Sequence, residues 1–234
     1  MQLIAHRGAS GYAPENTMAS FRLALEMGAK AIELDVHQTR DGQIVVAHDE
    51  DMKRTGRRRG KIKDLTAAEL AQIDVGSWFD PCFSNERVPL LAEVFDLCEG
   101  KAELHVELKH GSKMYPGIEE KVVDMIRRRK AHQTTLVSSF DHAALFGVRA
   151  LDSGVRIGYL LGLTGMKKAY REMDELRAES LNMSTRQADA RKVRDCRDRG
   201  LRTLVYTVNT RKELSRLDKL GCDGVFTNFP ELTT

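Results

Sequence analysis

Glu33 and Asp35 alternate with apolar residues in the run Ala31-Ile32-Glu33-Leu34-Asp35-Val36. In a strand that alternation puts both acids on one face, about 7 Å apart. Two carboxylates buried that close repel each other unless a positive charge stands between them. A third acid, Glu107, closes another apolar run beside Lys109. Oxygen-only donors suit a hard divalent cation, Mg²⁺ or Ca²⁺, rather than a soft metal. Each acid alone could equally be a salt-bridged strand residue. The Glu33/Asp35 pair is harder to explain that way, because burying two neighbouring charges without compensation is costly.

Two histidines follow apolar runs, His6 after 2–5 and His48 after 44–47. Imidazole titrates closest to neutrality and is the usual proton carrier in catalysis. A lone histidine is more often a packed or surface residue, but two beside an acid cluster form a candidate acid–base pair. His37, His105, His132 and His142 have no comparable setting, and His110, next to Lys109, stays open. Arg7 and Lys109 stand beside these groups. A cation, an arginine and a lysine around one point suit a phosphate and its developing charge. Either side chain could instead pair with Glu33 or Glu107. No Walker loop, dinucleotide-binding glycine pattern or G-x-S-x-G elbow is present, so neither nucleotide nor serine-hydrolase chemistry is supported.

The elements that must position these residues alternate. Helical spacing over 18–28, 90–98, 118–129, 165–177 and 186–199 is interleaved with strand patterns at 2–5, 31–36, 103–108, 134–138, 156–160, 179–183, 202–208 and 224–227. Asn16 or Thr17, Thr66, Asp141 and Thr210 stand at cap positions, and Gly221 at a stop. Such alternation is the signature of parallel βα units. The chain of 234 residues suits one domain, a (β/α)8 barrel, with a doubly wound sheet as the fallback. Counting 44–46 there are nine strand segments, so one lies outside the eight. The Asp41-Gly42 turn predicts a hairpin with Asp35 opposite His48, and a hairpin cannot join parallel neighbours. The ninth segment is therefore expected there or at the last strand. Residues 50–88 break the pattern and read as an insertion after the third strand segment. In it Arg57-Arg58-Arg59 reads as a solvated loop, and Trp78, Phe79 and Phe83 as core. In a barrel the polar strand ends share one face, where active sites lie.

Net charge is +3, too mild to argue for nucleic acid. Four cysteines without C-x-x-C spacing suggest neither a zinc site nor a disulfide framework. No apolar run approaches a membrane span, and the N-terminus lacks the features of a signal peptide. A cytoplasmic protein without stable membrane association is expected, and its oligomeric state is left open.

Together these segments resemble the glycerophosphodiester phosphodiesterase family, in its short cytosolic bacterial form. The resemblance rests on His6-Arg7-Gly8, Pro14-Glu15-Asn16-Thr17, Glu33-Leu34-Asp35-Val36-x-x-Thr39-x-Asp41-Gly42 and Val45-Val46-x-His48-Asp49. It continues with Val106-Glu107-Leu108-Lys109, Ser138-Ser139-Phe140, Thr207-Val208-Asn209 and Gly224-Val225-Phe226-Thr227-Asn228-x-Pro230. The pieces run in family order over almost the whole chain. The resemblance implies an irregular TIM barrel with a small insertion after Asp49. It implies a divalent cation on Glu33, Asp35 and Glu107, His6 and His48 as acid and base, and Arg7 and Lys109 on the phosphate. The implied activity is hydrolysis of glycerophosphodiesters to glycerol 3-phosphate and an alcohol. Water or the glycerol 2-hydroxyl could be the nucleophile, and either histidine the first acid. Phe140, Tyr206 and Asn209 are candidates for contact with the glycerol. Two departures, Tyr206 where many members have Trp and Asn228 where Asp is common, are expected to touch the substrate-side lining or the rim and not the histidines. The alternatives are a phosphodiesterase of the lysophospholipase D type and a non-catalytic phosphodiester-binding barrel.

Overall fold

The computed structural model describes residues 1–232. Eight parallel strands close on themselves: β1 (Gln2–His6), β2 (Ala31–Gln38), β4 (Glu103–Leu108), β5 (Thr135–Ser139), β6 (Arg156–Leu160), β7 (Ser180–Ser184), β8 (Arg202–Tyr206) and β9 (Gly224–Thr227). β1 pairs with both β2 and β9, which completes the barrel. The ninth segment, β3 (Ile44–Val46), lies antiparallel on β2, so the irregularity is the hairpin and not the last strand. The (β/α)8 reading holds, and the doubly wound fallback falls with ring closure.

Helices α1 (Met18–Glu26), α4 (Leu91–Cys98), α5 (Ile118–Arg128), α6 (His142–Leu151), α7 (Met166–Leu176), α8 (Ala190–Asp198) and α9 (Arg211–Leu220) connect the barrel strands. Their starts follow local chemistry. The Thr17 hydroxyl accepts from Ser20 N–H, Asp141 from Ala143 N–H, and Thr210 from Glu213 N–H, each satisfying an orphan donor of the first turn. In α5 Ile118, Val122, Val123 and Ile126 face the sheet, with acids in the first turn and arginines in the last, as the helix dipole favours. α8 begins later than its charge pattern suggests, because Asp189 caps it through Lys192 N–H. The strand expected over 202–208 stops at Tyr206.

The hairpin register differs from the sequence reading by one residue. Arg40-Asp41-Gly42 form a three-residue loop in which Thr39 N–H donates to Gln43 O (3.0 Å) and Gly42 N–H donates to Thr39 O (3.0 Å). Gly42 takes φ +80°, the left-handed conformation such a loop needs. The Thr39 hydroxyl, bonded to Asp41 Oδ1 at 2.6 Å and accepting from Gln43 N–H at 2.9 Å, stabilises the longer loop. Asp35 therefore faces Ala47, whose N–H donates to Asp35 O at 3.0 Å.

The segment after β3 holds two short helices, α2 (Lys53–Gly56) and α3 (Ala67–Leu70), the latter opened by the Thr66/Glu69 capping box. Its core is aliphatic, built on Met52, Ile62, Leu70, Ile73 and Val75 with Val45 and Val88. Trp78, Phe79 and Phe83 are not that core. They meet edge to face on its outer side, with centroids 5.8 and 5.9 Å apart, and Phe79 is 37% exposed. Arg57, Arg58 and Arg59 are exposed, as a solvated loop should be. At the N-terminal end of the barrel Arg156 bridges Glu103 (2.9 Å) and Glu179 (2.6 Å), and Arg202 joins Glu179 (3.2 Å) to Gln2. This closes the bottom and leaves the other end open.

Candidate active site

Register alone brings the acids together. His6 pairs with Glu33 across β1 and β2, and Asp35 with Glu107 across β2 and β4. One carboxylate oxygen from each of Glu33, Asp35 and Glu107 lies within 4.8 Å of the others, all buried at the C-terminal end of the barrel. Glu33 and Glu107 open into a cavity of about 180 Å³ whose lining includes His6, Arg7, His48, Lys109, Phe140 and Tyr206. Phe140 is 44% exposed at the rim, and its ring meets Tyr206 edge to face at 6.2 Å.

Both cations pair with the acids here. Arg7 Nε lies 3.1 Å from Asp35 Oδ2, and its other arm reaches Glu15 Oε1 at 3.0 Å. Lys109 Nζ lies 2.9 Å from Glu107 Oε1 and 3.2 Å from Asp35 Oδ1. A left-handed turn aims Arg7, with φ +58° at Arg7 and +81° at Gly8. A Cβ on Gly8 would come within 2.6 Å of the Ser20 backbone, so only glycine lets the turn lie on α1. The same turn points Arg7 N–H at Glu33 Oε2, 3.1 Å away.

Two positive charges do not balance three buried acids, and the protonation states reflect it. Burial and the charge of Asp35 push Glu33 well above the ordinary carboxylate range, and the same two causes raise Glu107. Burial also acts against Asp35, but Lys109 and Arg7 outweigh it and hold its carboxyl far below that range. The donor set fits a hard divalent cation: three buried carboxylate oxygens converge, and Asp35 Oδ1 meets only the Lys109 ammonium, 3.2 Å away. One expected result follows. Burial and mutual repulsion favour bound protons on Glu33 and Glu107 in the metal-free protein, and ligation requires the ionised acids. Binding of Mg²⁺ or Ca²⁺ should therefore release protons, read by calorimetry in buffers of different ionisation enthalpy. Heats independent of the buffer would show the acids already ionised.

The histidines have unlike partners. His6 Nδ1 hydrogen bonds Asn228 Oδ1 at 2.8 Å, so the ring donates there and turns Nε2 toward Glu33, 3.9 Å away. Burial, with Arg7 beside it, lowers His6 to about 4. His48 Nδ1 instead meets the Asp49 carboxylate at 2.7 Å, and Arg54 holds the second Asp49 oxygen at 2.7 Å. Arg54 also bonds both Glu15 oxygens, at 2.9 and 2.7 Å, tying the insertion to the loop that carries Arg7's partner.

Of the residues singled out from sequence, the cavity is lined by all but Asp35, which lies buried with Glu33 and Glu107 in the acid cluster, and Asn209. Asn209 Oδ1 accepts from Asn228 N–H at 2.9 Å, one layer behind the ring of His6. Asn228 does touch a histidine, contrary to the expectation for that departure, because the chain leaving β9 turns over the end of β1. Three supporting residues were passed over. Asn16 Nδ2 donates to Asp35 Oδ2 at 2.9 Å. His37, buried on β2, donates from Nε2 to His48 O (3.1 Å) and accepts at Nδ1 from Tyr115 OH (2.8 Å), so it fixes the backbone of His48. Its place two residues beyond Asp35 on one strand face was the available signal. Asn228 is the third.

Residues 6–232 match the model of the glycerophosphoryl diester phosphodiesterase family. The chain belongs to that family. A glycerophosphodiester phosphodiesterase of Caldanaerobacter subterraneus is 38% identical over 230 residues, 98% of this chain and 94% of that protein. One from Bacillus subtilis is 35% identical over 246 residues, 98% of this chain and 84% of the relative. The structure of an Oleispira antarctica phosphodiesterase in complex with the product sn-glycerol-3-phosphate superposes with a TM-score of 0.86 at 32% identity, covering 99% of this chain and 94% of that one. Among the described residues no helix is long and apolar enough to cross a membrane.

Proposed function

We propose that the protein hydrolyses glycerophosphodiesters to glycerol 3-phosphate and an alcohol, with His6 and His48 moving the protons. The observation that carries the reading is one cavity lined by two imidazoles, two cations and two of the three clustered acids. The product complex of the Oleispira antarctica relative supports the substrate class. Glu33, Asp35 and Glu107 would hold Mg²⁺ or Ca²⁺, which when bound would supply Lewis-acid polarisation of the phosphoryl oxygens.

Arg7 and Lys109 line the same cavity and would grip the phosphate oxygens once the acids no longer need them. His6 is suited to take the proton of the attacking oxygen. A neutral amide orients it, burial keeps it uncharged, and the Nε2 lone pair faces the acid cluster. His48 is suited to protonate the departing alkoxide: burial lowers its pKa, but it is the more exposed of the two rings, and its carboxylate partner Asp49 opposes that lowering. In balance, the attacking oxygen bonds to phosphorus, the bond from phosphorus to the alcohol oxygen breaks, and the proton taken up by His6 is matched by the proton given by His48. Phe140 and Tyr206 would pack on the glycerol carbons. Asn209, behind Asn228, would act through His6 rather than on the glycerol. We read the enzyme as a single barrel domain with residues 50–88 as its insertion, acting in the cytoplasm on soluble small molecules.

A substrate panel tests this. Glycerophosphocholine, glycerophosphoethanolamine and glycerophosphoglycerol should turn over at comparable rates, since the grip falls on phosphate and glycerol. Lysophosphatidylcholine should be poor: the insertion's aromatics lie outside the cavity and offer no groove for an acyl chain. A strong preference for the lysolipid would replace the substrate assignment and leave the proton-transfer roles standing. Turnover of none of the four would favour a binding barrel.

A further inference from the structure

Asn182 lines the same cavity, on β7, yet has no part in the roles above. It is fully buried, and its Oδ1 accepts from Ser180 Oγ at 2.8 Å. Its Nδ2 has no hydrogen-bond partner. A buried amide donor is rarely left unpaired, because it has lost water and gained nothing in return. The neighbouring strand makes room for this one. A Cβ on Gly158 would lie 3.0 Å from Nδ2 and 2.7 Å from Leu136, so glycine keeps the space beside the amide clear. Ser138, level with Glu107 on one side and Gly158 on the other, brings a hydroxyl into the cavity between the acids and Asn182.

The placement separates two halves of a ligand. Acids, cations and histidines come from β1, β2, β4 and the turns beside them, while Asn182 stands across the barrel next to Leu160 on β6. A phosphate held on the first side extends its carbon skeleton toward the second. The walls there are Leu160, Phe226, Phe140 and Tyr206, which offer carbon and ring surface. The free donor among them needs an acceptor oxygen. We propose that Asn182, through Nδ2, donates to a hydroxyl oxygen of the substrate's glycerol and so selects glycerol over alcohols of the same skeleton. This rests on the phosphodiesterase reading and names the group that recognises its product half.

A site that hydrogen bonds a substrate hydroxyl penalises the analogue lacking it, because its own polar group is left unpaired. Calorimetry in the presence of Ca²⁺ should compare sn-glycerol 3-phosphate with n-propyl phosphate, the same skeleton without hydroxyls. The wild-type protein should prefer glycerol 3-phosphate by about tenfold or more, and Asn182→Ala should lose most of that preference through weaker binding of glycerol 3-phosphate. If circular dichroism shows Asn182→Ala unfolded, Asn182→Leu, close in shape and without polar atoms, takes its place. A preference retained in the folded variant overturns the assignment, as does equal weakening toward both phosphates, which marks a packing role. A wild-type protein that hydrolyses glycerophosphodiesters but binds the two phosphates equally defeats Asn182 alone. One that neither hydrolyses the diesters nor binds either phosphate defeats the phosphodiesterase reading, and Asn182 with it.

Discussion

Asp35→Asn should reduce phosphodiester hydrolysis by about three orders of magnitude, which is what several kcal/mol of lost charge stabilisation amounts to. Asp35 is the natural target because it is the acid that stays ionised. Lys109 stands against Oδ1, and Arg7 and Asn16 against Oδ2. The substitution keeps the shape and removes the charge. It also leaves two largely buried cations with fewer counter-charges, so some loss of stability should accompany the loss of activity. Far-ultraviolet dichroism and a melting curve separate the two. Exhaustive chelation of the wild-type protein should produce the same inactivity, and Mg²⁺ or Ca²⁺ should restore it there but not in the variant. Undiminished turnover at negligible metal content would remove Glu33, Asp35 and Glu107 from the reaction.

His6→Ala and His48→Ala should each lower turnover of glycerophosphocholine by roughly 10²–10⁴-fold, the range of a general acid or base. The two should part on a substrate whose leaving group needs no proton. Bis-p-nitrophenyl phosphate expels a stabilised phenolate, so His48→Ala should keep far more of its activity on that diester than on glycerophosphocholine. His6→Ala should lose activity on both, because the attacking oxygen must still surrender a proton. The reverse pattern would exchange the roles. Equal losses on both substrates from both variants would argue that neither ring acts as the acid.

Much of this was legible because strand periodicity is a strong signal. Alternation in β2 placed Glu33 and Asp35 on one face, and the barrel's parallel register carried Glu107 to them. What escaped the sequence are properties of chain paths. Counting from Asp41-Gly42 as a two-residue turn misplaced β3 by one residue, since the Thr39 side chain stabilises a three-residue loop. His48 still reaches the cavity, because the ladder ends at Val46 and His37 then holds the His48 carbonyl. The insertion's aromatics were read as core by hydrophobicity alone, while smaller aliphatic residues fill the space. Asn228 and Asn182 were invisible as partners for another reason. One meets a residue 222 positions away and the other meets no side-chain acceptor through Nδ2, and neither relation leaves a periodic trace.

The seam where β9 closes on β1 has a bearing on how the enzyme is made. Of the barrel strands β1 leaves the ribosome first and β9 last, yet β1 needs β9 as its neighbour along Gln2 to Ala5. Until β9 emerges, one edge of β1 offers unpaired backbone groups, a template for pairing with another chain. His6 likewise lacks its orienting amide until Asn228 is synthesised. Catalytic competence thus arrives in the final step of barrel closure, and a nascent chain halted before residue 224 would display an open sheet edge and no organised base.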